Sequence, residues 1–147
     1  MARQSIGEQG EHYVIRHVPC PNCAKRLLSL PKNYPLYDLQ CTGCSFRAQV
    51  KTVQSPPKDT ILGAGWEILN KVLKSGFLVP PLFVYFKSVR AAGCNHEVRF
   101  YPFVPKTNIR PYTLSAKARR ANYRMFLYTG LNALPYFISH SSSDAAA

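Results

Sequence analysis

The spacing of apolar residues changes several times along the chain, and each change suggests an element. In "SIGEQGEHYVIRHV" Ile6, Tyr13, Val14 and Val18 form a loose helical stripe, which predicts a helix over roughly 8 to 17. From Pro19 to Tyr37 the chain is rich in Pro and Asn without a period, as in a ribbon-like excursion. "DLQCTGCSFRAQVK", residues 38 to 51, reads as two strands around a turn, and "SPPKDTILGAG", 55 to 65, as a loop. "WEILNKVLKSG" follows as a short amphipathic helix, with Trp66, Leu69, Val72 and Leu73 on one face and Gly76 as its stop.

"PLFVYF", 81 to 86, is an almost continuous apolar run after a Pro-Pro break, the signature of a buried central strand. "HEVRFYPFV", 96 to 104, alternates and reads as its partner, with Pro102 demoting the far end to an edge or bulge. "GCNH", 93 to 96, reads as a turn holding a semi-buried Cys94. "LSAKARRANYRMFLY" reads as a basic helix or a helix followed by a strand, and "SSSDAAA", 141 to 147, as a disordered tail. This order of elements predicts a single α/β domain over 1 to 140, a mixed sheet flanked by helices.

At 147 residues the chain is long enough for one domain with a real core, and 46% hydrophobic with 18% charged residues is ordinary for a globular fold. No apolar run reaches the roughly 18 residues a bilayer span requires, and "MARQSIGEQGEHY" has no apolar signal core, so a cytoplasmic protein is expected. The charge changes the picture more. Nineteen Lys and Arg against seven Asp and Glu leave a net +12, which favours a polyanion through counterion release, with nucleic acid the leading partner. No acid occurs between Val98 and Ser143, where Arg99, Lys106, Arg110, Lys117, Arg119, Arg120 and Arg124 are interleaved with Tyr101, Phe103, Tyr112 and Tyr123. Basic groups among aromatics suit a surface that tracks phosphates, and Lys117, Arg119, Arg120, Tyr123 and Arg124 are the expected DNA contacts. Phe100, Tyr101 and Phe103 are assigned to the core instead.

Four of the five cysteines fall into two CxxC pairs, Cys20 with Cys23 and Cys41 with Cys44, separated by seventeen residues. That spacing suits a tetrahedral four-thiolate zinc site, an inserted ribbon within 19 to 45. With sulfur in all four positions no place is left for substrate, so the expected zinc is structural. It would contribute on the order of 10 to 16 kcal/mol of folding free energy if it behaves as zinc does in small modules.

A second chemistry runs through the same hairpin. With "FRAQVK" as a strand, Phe46, Ala48 and Val50 take the core face, while Arg47, Gln49 and Lys51 take the other. A turn near Gly43 and Cys44 places Asp38 opposite Gln49, so that Asp38, Gln49 and Lys51 meet on one exposed patch. Two oxygen ligands and a lysine suit metal-assisted phosphodiester hydrolysis; an ordinary solvated strand face is the competing reading.

Asp38, a ten-residue gap and then Gln49, Val50 and Lys51 is similar to the core of the PD-(D/E)XK nucleases. With "EHYVIRHVPCPNC" before it, a CxxC three residues after the Asp and "PFVPK…LSAKARRANY" downstream, the chain resembles the catalytic domain of the DpnI family of methyl-directed restriction endonucleases, over about residues 5 to 128. The resemblance implies a PD-(D/E)XK-like mixed sheet and cleavage of double-stranded DNA carrying N6-methyladenine in GATC. It also implies structural zinc on the four cysteines and catalytic Mg²⁺ or Mn²⁺ at Asp38, Gln49 and Val50. Lys51 is then the catalytic lysine, and Glu11 the acidic position ahead of the metal core. Gln49 departs from the pattern by replacing a carboxylate with a neutral amide, which lowers the charge that holds the ion. The winged-helix domain that the family also implies has no room in this length. The competing function is a non-catalytic zinc-ribbon module that binds nucleic acid, or an inactive nuclease relic.

Overall fold

The computed structural model describes residues 5–115, 117 and 124–145. Ser5 caps the first helix, α1 (Ile6–His17), by accepting the Glu8 backbone N–H at 3.1 Å, so the helix starts two residues earlier than its apolar stripe indicates. Two short strands follow, β1 (Leu27–Ser29) and β2 (Leu39–Cys41), then β3 (Arg47–Val53), β4 (Ile61–Gly65), α2 (Trp66–Lys74), β5 (Leu82–Arg90) and β6 (Gly93–Tyr101). The chain ends with β7 (Ile109–Thr113), β8 (Arg124–Tyr128) and β9 (Phe137–Ala145).

Six strands form a mixed sheet in the order β1-β2-β3-β5-β6-β9, in which only the β3–β5 pair is parallel. The other three form a small antiparallel sheet, β4-β8-β7. Leu82 to Phe86 are all buried because β5 is covered on both faces. Phe83 and Tyr85 pack with Val14 of α1 and with Val18 just beyond it, whereas Leu82, Val84 and Phe86 pack with Leu69 and Leu73 of α2 and with Phe126 and Tyr128 of β8. α1 lies close to the sheet. A Cβ on Gly10 would stand 1.6 Å from Thr52 Oγ1, so glycine lets the helix reach β3 at the level of the candidate site.

Three of the expected segments change. Residues 61 to 65 lie in the stretch read as a loop, yet they form β4; Gly63 fits there because a Cβ would meet the Phe126 ring at 2.2 Å. "GCNH" belongs to β6 and not to a turn, since the reversal occurs just before it and Arg90 pairs with Gly93. The segment expected as a disordered tail is strand through Ala145. Its polar side chains are held by partners on the neighbouring elements: Ser142 by Tyr13 at 3.2 Å, Ser143 by Asn95 at 3.0 Å and Asp144 by His96 at 2.6 Å. His96 in turn bonds the Tyr85 hydroxyl at 2.6 Å, and Tyr13 stacks on Tyr85 with ring centroids 4.2 Å apart. Strand β6 stops at Tyr101, immediately before Pro102; Phe100 and Tyr101 are buried as expected, but Phe103, assigned to the core, is exposed because it lies beyond the end of the strand.

Candidate active site and metal centre

The two CxxC turns bracket β1 and β2, whose antiparallel pairing sets Leu27 against Cys41 and so draws the N-terminal pair of cysteines toward the C-terminal pair. All four sulfurs lie within 4.8 Å of one another, with Cys20 and Cys44 3.6 Å apart and Cys23 and Cys41 3.4 Å apart. Thiolates placed ~2.3 Å from a tetrahedral zinc would stand ~3.8 Å from each other, so the cluster fits one ion. The surrounding donors fit it too. Asn22 N–H points at Cys20 Sγ, Gly43 N–H at Cys41 Sγ and the Asn22 side-chain amide at Cys44 Sγ, at 3.2 to 3.4 Å. N–H groups aimed at sulfur favour thiolate: the Asn22 amide is the main cause that pulls the Cys44 thiol down to about 6, whereas at Cys20 burial outweighs the Asn22 N–H and raises the thiol.

Three residues before Cys41, the chain enters the second cluster. Leu39 pairs with Ala48 and Gln40 with Arg47, which brings Asp38, just outside the registered pairs, to the Ala48–Val50 stretch of β3. Asp38 Oδ2 accepts the Val50 backbone N–H at 2.7 Å, and Asp38 N–H donates to the Ala48 carbonyl at 2.9 Å, so both its main chain and its side chain are tied to β3. Glu11 comes down from α1 and shares a hydrogen bond with Asp38. Burial first, and then the charge of Asp38, pushes the Glu11 carboxyl up to about 7. Burial also raises Asp38 above the ordinary carboxylate range, although the Val50 N–H and the Lys51 charge pull it back. Lys51 Nζ donates to the Gly63 carbonyl of β4 at 3.2 Å; burial lowers its pKa while Asp38 and Glu11 oppose the shift. Two carboxyls and one ammonium from three elements therefore lie within electrostatic reach of each other.

Arg47, Gln49 and Lys51 do not form the exposed face expected of them. Arg47 is exposed and bonded to Gln40 and Tyr34, but Gln49 is only 5% exposed and Lys51 is half-buried. The small sheet covers this side of β3: Gly63 of β4 meets Lys51, and the Tyr128 hydroxyl of β8 donates to Gln49 Oε1. Sequence reasoning missed Tyr128. It is fully buried, it lies near enough to Asp38 to feel its charge, and burial together with that charge raises its pKa and keeps it protonated. Nothing local marks it, since it closes an apolar strand and its partner is 79 residues away.

The expected DNA contacts divide. Lys117 is exposed; Arg124 is exposed and paired with Glu67 of α2 at 3.1 Å; Arg119, Arg120 and Tyr123 lie outside the described residues. Val50 offers a cation only its backbone carbonyl, because its side chain is apolar and buried. Among the described residues no helix is long and apolar enough to cross a membrane.

No curated protein matches the chain. A family model described as DpnI, the Dam-replacing family, matches residues 2–136, a span that includes the four cysteines, Glu11, Asp38, Gln49, Lys51 and Tyr128. The match takes in both clusters and nearly the whole chain, and the protein accordingly belongs to the DpnI (Dam-replacing) family of restriction-type nucleases.

Proposed function

We propose that the protein is a divalent-metal-dependent endonuclease that hydrolyses phosphodiester bonds of double-stranded DNA on a PD-(D/E)XK-like core. The observation that supports this best is the meeting of Glu11, Asp38 and Lys51, with Asp38 bonded to Val50 next to Gln49, in a chain of net charge +12. The donor set suits a hard cation. Two carboxyls forced into contact repel once both ionise, and a divalent ion relieves that repulsion. Asp38 and Glu11 would hold Mg²⁺ or Mn²⁺, with the Gln49 amide oxygen and the Val50 carbonyl as neutral ligands. Such an ion, when bound, polarises the scissile phosphate and lowers the pKa of a coordinated water.

The chain's own residues do the rest. The Val50 N–H orients the Asp38 carboxylate, and the Gly63 carbonyl anchors Lys51 beside it. Burial weakens the hold of Lys51 on its proton, which suits an amine that orients a water or takes a proton from it and that balances charge developing on phosphate. The four-cysteine centre, loaded with zinc, braces the β2–β3 hairpin only three residues from Asp38. Preference for N6-methyladenine is part of the proposal and rests on family membership.

The test is plasmid nicking with and without Mn²⁺ on adenine-methylated and unmethylated DNA, alongside Lys51→Ala. Wild type is expected to nick and to prefer the methylated plasmid, and Lys51→Ala to bind DNA without cutting it. Cleavage retained in that variant removes the catalytic assignment, and equal cutting of both plasmids removes the methyl preference alone. A second reading, a DNA-binding relic, is favoured by Gln49 standing where an acid is usual; it predicts salt-sensitive binding and no nicking under any condition.

A further inference from the structure

The amide of Gln49 has two unlike ends, and only its oxygen is useful to a cation. The terminal torsion of a glutamine is broad and roughly two-fold, so the side chain alone does not decide which end faces the carboxylates. The decision comes from β8. The Tyr128 hydroxyl donates to Gln49 Oε1, and the same hydroxyl lies near enough to Asp38 to feel its charge, so the bond that selects the oxygen end of the amide belongs to the same cluster. The ring of Tyr128 meets that of Phe126 edge to face at 5.1 Å within the cluster beneath the small sheet, contacts that phenylalanine would keep. The hydroxyl is therefore separable from packing, and the partner the structure gives it is Gln49. A carbonyl oxygen carries two lone pairs, which allows Oε1 to accept from Tyr128 and face an ion at once.

We propose that Tyr128 is a positioning residue that fixes the Gln49 amide with its oxygen toward Asp38, allowing a neutral side chain to serve at a position where the nuclease pattern has an acid. The inference rests on the endonuclease reading for the identity of the ion, and on the hydrogen bond itself for the effect. In the absence of the hydroxyl the amide populates both orientations, one of which turns an NH₂ toward the carboxylates and excludes the cation.

The experiment measures Mn²⁺ binding by electron paramagnetic resonance of the free ion, and plasmid nicking against Mn²⁺ concentration, for zinc-loaded wild type and Tyr128→Phe. Loss of one buried hydrogen bond predicts Mn²⁺ binding weaker by about fivefold to tenfold. The Mn²⁺ needed for half-maximal nicking should rise by the same factor while nicking at saturating Mn²⁺ holds. Gln49→Glu supplies the decisive background. A carboxylate presents oxygen at both ends, so adding Tyr128→Phe to Gln49→Glu should change Mn²⁺ binding by no more than about twofold. Unchanged affinity in Tyr128→Phe, or an equal loss in both backgrounds, overturns the positioning role. So does a Tyr128→Phe protein that loses its zinc or its cooperative unfolding, because the hydroxyl would then be structural. Wild type that binds Mn²⁺ without nicking refutes the endonuclease reading alone, and the binding comparison still decides on Tyr128. Wild type that binds no Mn²⁺ refutes both.

Discussion

Replacing Glu11 with glutamine removes one of the two carboxyls that α1 and the β2–β3 hairpin press together. In the folded protein Glu11 keeps its proton up to about 7, against an ordinary 4.5. Below pH 4.5 the folded and unfolded chains both carry that proton, and its stabilising effect is fully present. Between 4.5 and 7 only the folded state still holds it, so stability falls as pH rises through this window and the effect is gone above about 7. At full value a displacement of this size corresponds to about 3 kcal/mol. Glu11 is only half-buried, so water reduces both the cost of burying its charge and the repulsion from Asp38, which leaves about 1 to 2 kcal/mol. Urea unfolding of zinc-loaded protein at pH 5, 6, 7 and 8, without other divalent ions, should show wild type losing that amount relative to Glu11→Gln as pH rises. Adding Mg²⁺ or Mn²⁺ at pH 8 should restore wild type and leave the variant where it was. Parallel pH profiles for the two proteins would mean that neither burial nor Asp38 holds the Glu11 proton in solution, leaving no repulsion for a cation to relieve.

Removal of zinc with a strong chelator should unfold the hairpin as well as the ribbon, because Cys41 is three residues from Asp38; loss of nicking and a drop in the urea midpoint on metal removal, both recovered on adding zinc, check this. Gly10→Ala should destabilise the protein by about 1 to 3 kcal/mol through overpacking against Thr52, and less in combination with Thr52→Ala; unfolding of the single and double variants measures the coupling. Gln49→Glu should tighten Mn²⁺ binding and destabilise the metal-free protein by about 2 kcal/mol or more, since it puts a third carboxyl into a buried site; calorimetry with Mn²⁺ and urea unfolding in its absence report the two effects separately.

What could be read from the sequence follows the range of the interactions involved. The cysteine cluster depends on two short turns and one hairpin, and ligand spacing within a CxxC is a local property, so the assembly of Cys20, Cys23, Cys41 and Cys44 is legible from residue intervals alone. The approach of Asp38 to β3 is legible for the same reason: fixing the hairpin turn sets Leu39 against Ala48 and Gln40 against Arg47, and Asp38 follows them to reach the Ala48 carbonyl and the Val50 N–H. The burial of β5 announces itself as an uninterrupted apolar run.

The long-range part is silent, and it changes what the site is. Gly63 belongs to a sequence that carries every mark of a loop, because its role is to leave room for the ring of Phe126, and an absent side chain has no periodicity. β9 hides for the opposite reason. Its serines are polar enough to suggest a tail, and they become strand only when Tyr13, Asn95 and His96 are already in place to receive them. The same blindness applies to Gln49. Alternation along β3 puts it on the face away from α1 and suggests solvent, whereas β4 and β8 close over that face and convert a surface amide into a buried one with a fixed partner. A buried amide needs its hydrogen bonds satisfied, and a surface amide does not. The replacement of an acid by Gln49 therefore cannot be weighed from the hairpin alone: on an open strand it would weaken a metal site, but beneath the small sheet its consequence depends on the hydroxyl of Tyr128.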